Sequence, residues 1–190
     1  MEDLVEKLNS HIVKWAESAH KLVVAIDGYT GIGKTTLLKN LAALNKDILP
    51  VNRDDFGLPR AKVESLLSSA SDRSSVFELE VVDNEKIKSF INAFRSSDSR
   101  YAIKAYNGET GEVDIPKEFD FSKKILVIEG IFLLHPKLLN QLWDRSIYLV
   151  GDRAAIDARR IAREKQRWGQ DYVPEDRPDS YFRAVTTALR

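Results

Sequence analysis

Short apolar runs alternate with segments of helical periodicity along this chain. The runs at 22–26, 48–51, 124–129 and 146–150 have the length and composition of buried strands. Helical spacing of apolar residues occurs at 3–18, 34–44, 84–94 and 153–168, and further short helices are predicted at 138–143 and 178–190. This alternation predicts an α/β fold in which a parallel sheet forms the middle of three layers.

Three segments fall outside this alternation. Residues 3–18 precede the first strand and predict an amphipathic helix on the outside of the core, with a partner-binding helix as the alternative. The serine-rich stretch 65–75 predicts a mobile segment, either a lid or a plain surface linker. Two strand-like runs flank Asn107-Gly108 and predict a hairpin. A chain of 190 residues is expected to form one domain, 1–190, around one core.

The loop between the first strand and the next helix has the strongest motif. Gly28-Tyr29-Thr30-Gly31-Ile32-Gly33-Lys34-Thr35 matches the phosphate-loop pattern G-x-x-x-x-G-K-[ST] at every position. Its glycines let backbone N–H groups curl around phosphate oxygens, and the helix that follows adds its positive N-terminal end. The residues predicted to bind nucleotide are Gly28, Thr30, Gly31, Ile32, Gly33, Lys34, Thr35 and Thr36.

Two residues of this loop carry its chemistry. The Lys34 ammonium is expected to reach the β- and γ-phosphates, and the Thr35 hydroxyl is expected to ligate Mg²⁺. ATP and Mg²⁺ are therefore the predicted cofactors. A chance glycine-rich turn is the alternative, but the strand before the loop and the helix after it favour the phosphate-binding interpretation.

Acidic residues follow two further strands. Asp54-Asp55 comes after the second strand, and Glu129 ends the third. The carboxyl ends of parallel strands meet at one edge of the sheet, where ligands bind. One of the aspartates could take the proton of an acceptor hydroxyl or hold Mg²⁺ through water, and Glu129 could order the Mg²⁺ shell. The alternatives are a turn cap for the aspartates and a strand-end salt bridge for Glu129.

The helix at 153–168 is rich in arginine. Arg159, Arg163 and Arg167 recur every four residues and therefore share one face. Such a face could close over ATP and neutralise the charge of the transferring phosphoryl group. The alternative is a solvated helix held by pairs such as Arg160–Glu164.

Composition excludes several classes of function. The formal net charge is zero, so no overall field attracts nucleic acid or a membrane surface. The chain has no cysteine, which excludes disulfides and thiol catalysis. No apolar run approaches the ~20 residues of a membrane span, and no signal peptide is recognisable, so a cytoplasmic location is expected.

Taken together, the chain resembles the uridine kinase-like family of phosphate-loop kinases, which also includes phosphoribulokinase and bacterial pantothenate kinase relatives. The matching stretches are 26–36, Asp54-Asp55-Phe56, 127–132 and the lid-like 158–164. The resemblance implies the P-loop NTPase fold of nucleoside and nucleotide kinases. It also implies transfer of the ATP γ-phosphoryl group to a hydroxyl of a small molecule, such as a nucleoside.

The resemblance also assigns roles to single residues. Asp54 would be the base toward the acceptor hydroxyl, and Glu129 would be the acid at the metal. The remaining positions would contact ligands: Arg160 and Arg163 the phosphates, Tyr106 and Glu78 the substrate.

The chain departs from the family pattern in two segments. Nucleoside-specific members carry a histidine and an arginine after the tyrosine, where residues 107–111 have neither. The family's R-G-R step is replaced by Arg167-Trp168-Gly169-Gln170, and no fifth core strand is recognisable after it. The leading hypothesis is an ATP- and Mg²⁺-dependent kinase of a small-molecule hydroxyl substrate. The alternatives are a nucleotide-binding regulatory module without efficient catalysis and a related small-molecule kinase of the pantothenate or sugar type. The oligomeric state is left open, with a homo-oligomer as one outcome.

Overall fold

The computed structural model describes residues 2–139, 141–177 and 180–188, and within them the chain has the α/β architecture that the sequence predicts. The strands are β1 (Leu22–Gly28), β2 (Ile48–Asn52), β3 (Arg100–Tyr106), β4 (Val113–Asp120), β5 (Ile125–Glu129) and β6 (Arg145–Leu149). The helices are α1 (Glu2–Glu17), α2 (Lys34–Leu44), α3 (Arg60–Ser69), α4 (Arg73–Leu79), α5 (Asn84–Ser96), α6 (Arg153–Trp168) and α7 (Tyr181–Ala188). Short 3₁₀ turns follow β2 and α6, at Arg53–Phe56 and Gly169–Asp171.

The central sheet is parallel, with the strand order β2-β5-β1-β6. Every residue of β1 and β5 is buried. Val23 and Ala25 of β1 belong to the core on the α5 side, whereas Val24 and Ile26 belong to the core beneath α1 and α2. Because both faces of the sheet are covered, the inner strands are apolar throughout rather than alternating, and the predicted three-layer arrangement is confirmed.

The hairpin of β3 and β4 is fixed to the α5 side of the core by aromatic contacts. The Phe90 ring of α5 meets Phe119 and Phe121 edge to face, with ring centroids 4.9 and 5.0 Å apart. Phe90 also contacts Phe56 in the same way, at 5.4 Å. One α5 side chain thus anchors both the hairpin and the turn that carries Asp54.

The serine-rich stretch at 65–75, predicted to be a mobile lid or a surface linker, is mostly helical. Apart from Ser71, which lies between the two helices, its serines are divided between α3 and α4. The hydroxyls of Ser68 and Ser69 donate to the Ser65 carbonyl (2.8 and 2.9 Å), and the Asp72 side chain caps α4 by accepting from the Ser74 N–H (2.9 Å). Serine hydroxyls that bond to carbonyls of their own helix are compatible with helical structure, which composition alone did not reveal.

The helix predicted at 138–143 is not formed: its described residues make isolated turns. Residue 140 lies outside the described residues. The N–H groups of Leu138 and Leu142 bond three residues back, to His135 and Leu139 (3.0 and 2.9 Å). The predicted final helix is present as α7, which packs on α4, although residues 178, 179, 189 and 190 of that prediction are also outside the description. In the described part of the chain no strand follows α6.

None of the helices in the described ranges has the length and apolar character needed to cross a bilayer.

Candidate active site

The phosphate-loop motif forms the turn between β1 and α2. Gly28, Gly31 and Gly33 have positive φ angles of 146°, 82° and 108°. Glycine is also required at position 31 for space, because a Cβ there would stand 3.0 Å from the Cβ of Arg160 in α6. The remaining predicted residues, Thr30, Ile32 and Thr36, lie in the loop and the first turn of α2.

The Lys34 side chain is folded back onto this loop. Its Nζ donates to the carbonyl oxygens of Gly28 (2.8 Å) and Tyr29 (3.2 Å), and the residue is only 7% exposed. Burial lowers the pKa of Lys34, and the negative charges of Glu129, Asp27 and Asp54 oppose this effect. The ammonium therefore lies on the loop, within the electrostatic influence of three carboxylates, and its contact with phosphate remains a prediction.

Thr35 and Glu129 meet across the sheet edge. The Thr35 hydroxyl donates to Glu129 Oε1 (2.7 Å), and Glu129 is buried. Burial raises the pKa of Glu129, while the Thr35 bond and the Lys34 charge oppose that rise. The hydroxyl and carboxylate predicted to serve one metal ion are thus already adjacent.

This donor set fits Mg²⁺. The ion prefers oxygen ligands, and it is usually held by one or two carboxylates together with substrate phosphates and water. Thr35, Glu129 and the nearby Asp54 supply such oxygens. The described residues contain no cluster of three or more His, Cys, Asp or Glu side chains that could hold a metal by itself. Mg²⁺ binding here would therefore depend on nucleotide phosphates, whose charge the ion would neutralise.

Replacing Thr35 by valine is expected to raise the Mg²⁺ concentration needed for half-maximal turnover by about tenfold, since it removes one ligand, a loss of the size seen for groups that support metal sites. Thr35→Ser keeps the hydroxyl and should behave as the wild type. A Mg²⁺ titration of turnover at saturating ATP measures the effect. Equal Mg²⁺ dependence of the valine and serine variants would contradict the assignment of Thr35 as a ligand.

The turn after β2 distinguishes the two aspartates. The Asn52 side chain caps the turn by accepting from the Asp54 N–H (2.9 Å), and the buried Phe56 ring fixes its other end. Asp55 accepts from Lys117 Nζ of β4 (2.6 Å). Asp54 is exposed and has no ion pair within the described residues. Of the two aspartates, Asp54 is thus the exposed and unpaired one among the described residues, and its role as the base remains a prediction.

Helix α6 lies against the phosphate loop and brings both predicted lid arginines near it. The buried Arg160 guanidinium forms ion pairs with Asp157 (3.2 Å) and Glu175. Burial disfavours its charge, but these carboxylates outweigh burial and raise the pKa of Arg160. Arg163 is more than half exposed and pairs with Glu164 (2.7 Å). Its positive charge contributes to lowering the pKa of Lys34.

A second contact between α6 and the loop was not predicted. The Arg153 guanidinium lies 3.5 Å from the ring centroid of Tyr29, and its Nε donates to Asp157 (3.0 Å). A guanidinium on an aromatic face is a stabilising arrangement. Arg153 therefore docks the first turn of α6 on the loop, a role that spacing along the helix could not indicate.

Strand β3 of the hairpin contacts the turn that carries Asp54. The Tyr106 ring packs on Gly57, where a Cβ would stand 2.9 Å from the ring. At the tip, Arg60 of α3 donates to the Gly108 carbonyl (3.2 Å), and Arg167 Nη2 lies 3.3 Å from where a Gly108 Cβ would be. The hairpin tip thus reaches the end of α6, and Tyr106 lies beside the Asp54 turn.

Glu78 lies in α4 and is already engaged. Its Oε1 pairs with His135 Nε2 (2.8 Å), and the Lys137 N–H donates to His135 Nδ1 (3.2 Å). Because Nδ1 accepts a hydrogen bond, Nε2 is the ring nitrogen that donates to Glu78. The predicted contact of Glu78 with substrate remains a prediction, and His135 is the partner that the substrate would share or displace.

The fold and the site define a phosphate-loop kinase that acts on a small molecule. A family model described as "Phosphoribulokinase / Uridine kinase family" matches residues 23–184. The chain belongs to this family.

Individual relatives agree with this membership. Nicotinamide riboside kinase 1 of Homo sapiens is 31% identical over 163 residues, which cover 84% of this chain and 70% of that protein. The chloroplastic uridine/cytidine kinase UKL1 of Arabidopsis thaliana is 26% identical, with 78% of this chain and 31% of that protein covered. A solved structure described as a possible uridine kinase from Bacillus stearothermophilus superposes with a TM-score of 0.68, covering 94% of this chain and 96% of that chain. Its 21% identity supports the fold alone.

Proposed function

We propose that this protein transfers the γ-phosphoryl group of ATP to a hydroxyl group of a nucleoside. The proposal depends on one observation: the Lys34 ammonium, the Thr35–Glu129 pair and the exposed Asp54 carboxylate converge at one edge of the sheet. The relatives named above are kinases of nicotinamide riboside and of uridine and cytidine, which favours a nucleoside as the acceptor.

Each group has a distinct task in this proposal. The glycine-rich turn and Lys34 would hold the β- and γ-phosphates, and Thr35, Glu129 and Asp54 would hold a Mg²⁺ ion, which neutralises phosphate charge when bound. Asp54 accepts the proton of the attacking hydroxyl. Arg163, together with Arg160 once it is released from its carboxylates, neutralises charge on the transferring group. Tyr106 and Glu78 line the acceptor side.

The test is ATP consumption with a panel of acceptors at saturating Mg²⁺. Nicotinamide riboside, uridine and cytidine are the expected substrates, with pantothenate and sugar alcohols as the contrasting set. Turnover confined to the contrasting set would replace the nucleoside by another acceptor class. ATP binding without turnover of any acceptor would favour the regulatory module instead, an alternative that the engagement of Arg160 by two carboxylates supports.

The lid arginines allow a matched comparison. Arg163→Ala is expected to lower turnover by about 10²-fold with little loss of ATP affinity, because it removes charge that acts mainly in the transition state. Lys165→Ala is the control, since Lys165 is exposed on the same helix and, two residues on from Arg163, lies on the opposite face. Arg153 would be an unsuitable control because it docks on Tyr29. Equal turnover of the Arg163 and Lys165 variants would support a solvated structural helix and contradict the lid.

A further inference from the structure

Arg53 is a buried cation whose presence the fold does not explain. It follows the cap residue Asn52, immediately before Asp54, and is 1% exposed. Among the described residues, its Nε and Nη2 atoms have no hydrogen-bond partner. Burying a charge without such partners is strongly unfavourable. An apolar side chain of similar volume would fill the same space without this desolvation free energy.

The side chain of Arg53 lies at the carboxyl ends of the central strands, beside Gly130. Asn52 of β2 and Ile26 of β1 both pair with Glu129 of β5, so the next positions, Arg53, Asp27 and Gly130, lie side by side at the strand ends. Side chains alternate along a strand, and this places Arg53 and Asp27 on the face covered by α5 and the hairpin. A Cβ on Gly130 would stand 2.5 Å from Arg53 Cβ and 2.8 Å from Cδ. Because residue 130 is a glycine, the Arg53 side chain has room to lie against it.

The carboxylates of Asp54 and Asp27 both interact electrostatically with Arg53. Only Asp54 is free to respond to a ligand. Asp27 is fixed because its oxygens accept from the backbone N–H groups of Gly28 (2.6 Å) and Leu134 (3.0 Å). Asp54 is exposed, and its charge also acts on Lys34. The Asp54 carboxylate therefore lies in the field of two buried cations, Lys34 and Arg53.

This arrangement matters when a triphosphate reaches the loop. The phosphates attract Lys34 and repel the carboxylates beside them. A second cation that the phosphates cannot reach would keep the Asp54 carboxylate in place near the acceptor hydroxyl. Charges fixed in a buried position do this without reorganising during the reaction.

We propose that Arg53 is a positioning residue for phosphoryl transfer, which holds Asp54 at the acceptor through its buried charge. It touches neither phosphate nor acceptor and acts only through Asp54. The inference rests on the proposed function, and it predicts that the fold would be more stable without this charge while transfer would be slower. Such an opposition between stability and activity is typical of groups retained for function.

The experiment compares Arg53→Met, Arg53→Lys and the wild type in thermal melting and in steady-state kinetics. Arg53→Met is expected to melt a few degrees higher, by the removal of a buried charge. Its kcat is expected to fall about 10²-fold with the KM for ATP within about twofold, as for loss of a preorganised charge. Arg53→Lys restores the charge and should recover part of kcat. Arg95→Met is the matched control: Arg95 is bonded to Asp144 (2.8 Å) away from the site, so its loss should lower the melting temperature and leave kcat unchanged.

Three results would overturn the inference. They are an Arg53→Met variant with wild-type kcat, one that melts lower than the wild type or does not fold, and an Arg53→Lys variant no faster than Arg53→Met. A wild-type protein without turnover of any acceptor overturns the proposed function and this inference together. A wild-type protein that turns over beside an equally fast Arg53→Met variant overturns the inference alone.

Discussion

Replacing Lys34 by alanine will reduce ATP-dependent turnover by about 10³-fold, since a charge aimed at the developing phosphoryl charge in a buried site has an effect of this order. The protein should still fold. The Lys34 Nζ bonds only to the loop carbonyls of Gly28 and Tyr29, and its burial already disfavours the charged form. Losing two hydrogen bonds is therefore partly offset by removing a desolvated cation.

Turnover and the melting temperature should be measured on the same preparation. Lys39→Ala is the control, because Lys39 is an exposed lysine of the same helix. It should leave both quantities unchanged. Normal turnover of Lys34→Ala would remove the phosphate-loop interpretation, whereas a collapse of the melting temperature would show that the buried ammonium is needed by the fold.

The phosphate loop could be predicted because its information is local. The motif fixes the spacing of the glycines, Lys34 and Thr35, and the strand and helix beside it follow from apolar periodicity. The placement of Asp54 and Glu129 near the loop could also be predicted, but it depends on the order of the strands as well as on the local sequence. Parallel strands carry their carboxyl ends to one edge, so an acid at a strand end is expected near the loop. The Thr35–Glu129 bond of 2.7 Å agrees with that expectation.

The contacts that could not be predicted all join distant parts of the chain. Arg160 meets Glu175 across the segment after α6, and Glu78 meets His135 across more than fifty residues. No periodicity connects such pairs, and their residue types are equally common on solvated surfaces. Arg53 is the extreme case. Its position before two acids resembles an exposed turn, and its burial arises only because Gly130 on the neighbouring strand leaves room.

Replacing Asp54 by asparagine is expected to lower kcat by roughly 10²–10⁴-fold, the range found for a lost general base. The amide preserves the size of the side chain but does not accept the proton of the acceptor hydroxyl. Binding of ATP should weaken far less than kcat falls, because the phosphates are held by the loop and Lys34. ATP affinity can be measured without turnover by titration in the absence of an acceptor.

Asp55→Asn is the informative control because the two aspartates are adjacent but differently engaged. Asp55 is bonded to Lys117 Nζ (2.6 Å), so its replacement loosens a link between the turn and β4. We expect a modest loss of stability, of about 0.5–1 kcal/mol for a partly exposed ion pair, and nearly normal kcat. If Asp55→Asn abolishes transfer while Asp54→Asn does not, the base is Asp55 and its Lys117 pair must open during catalysis. If neither variant is slowed, the acceptor proton leaves by another route, and neither aspartate is needed for transfer.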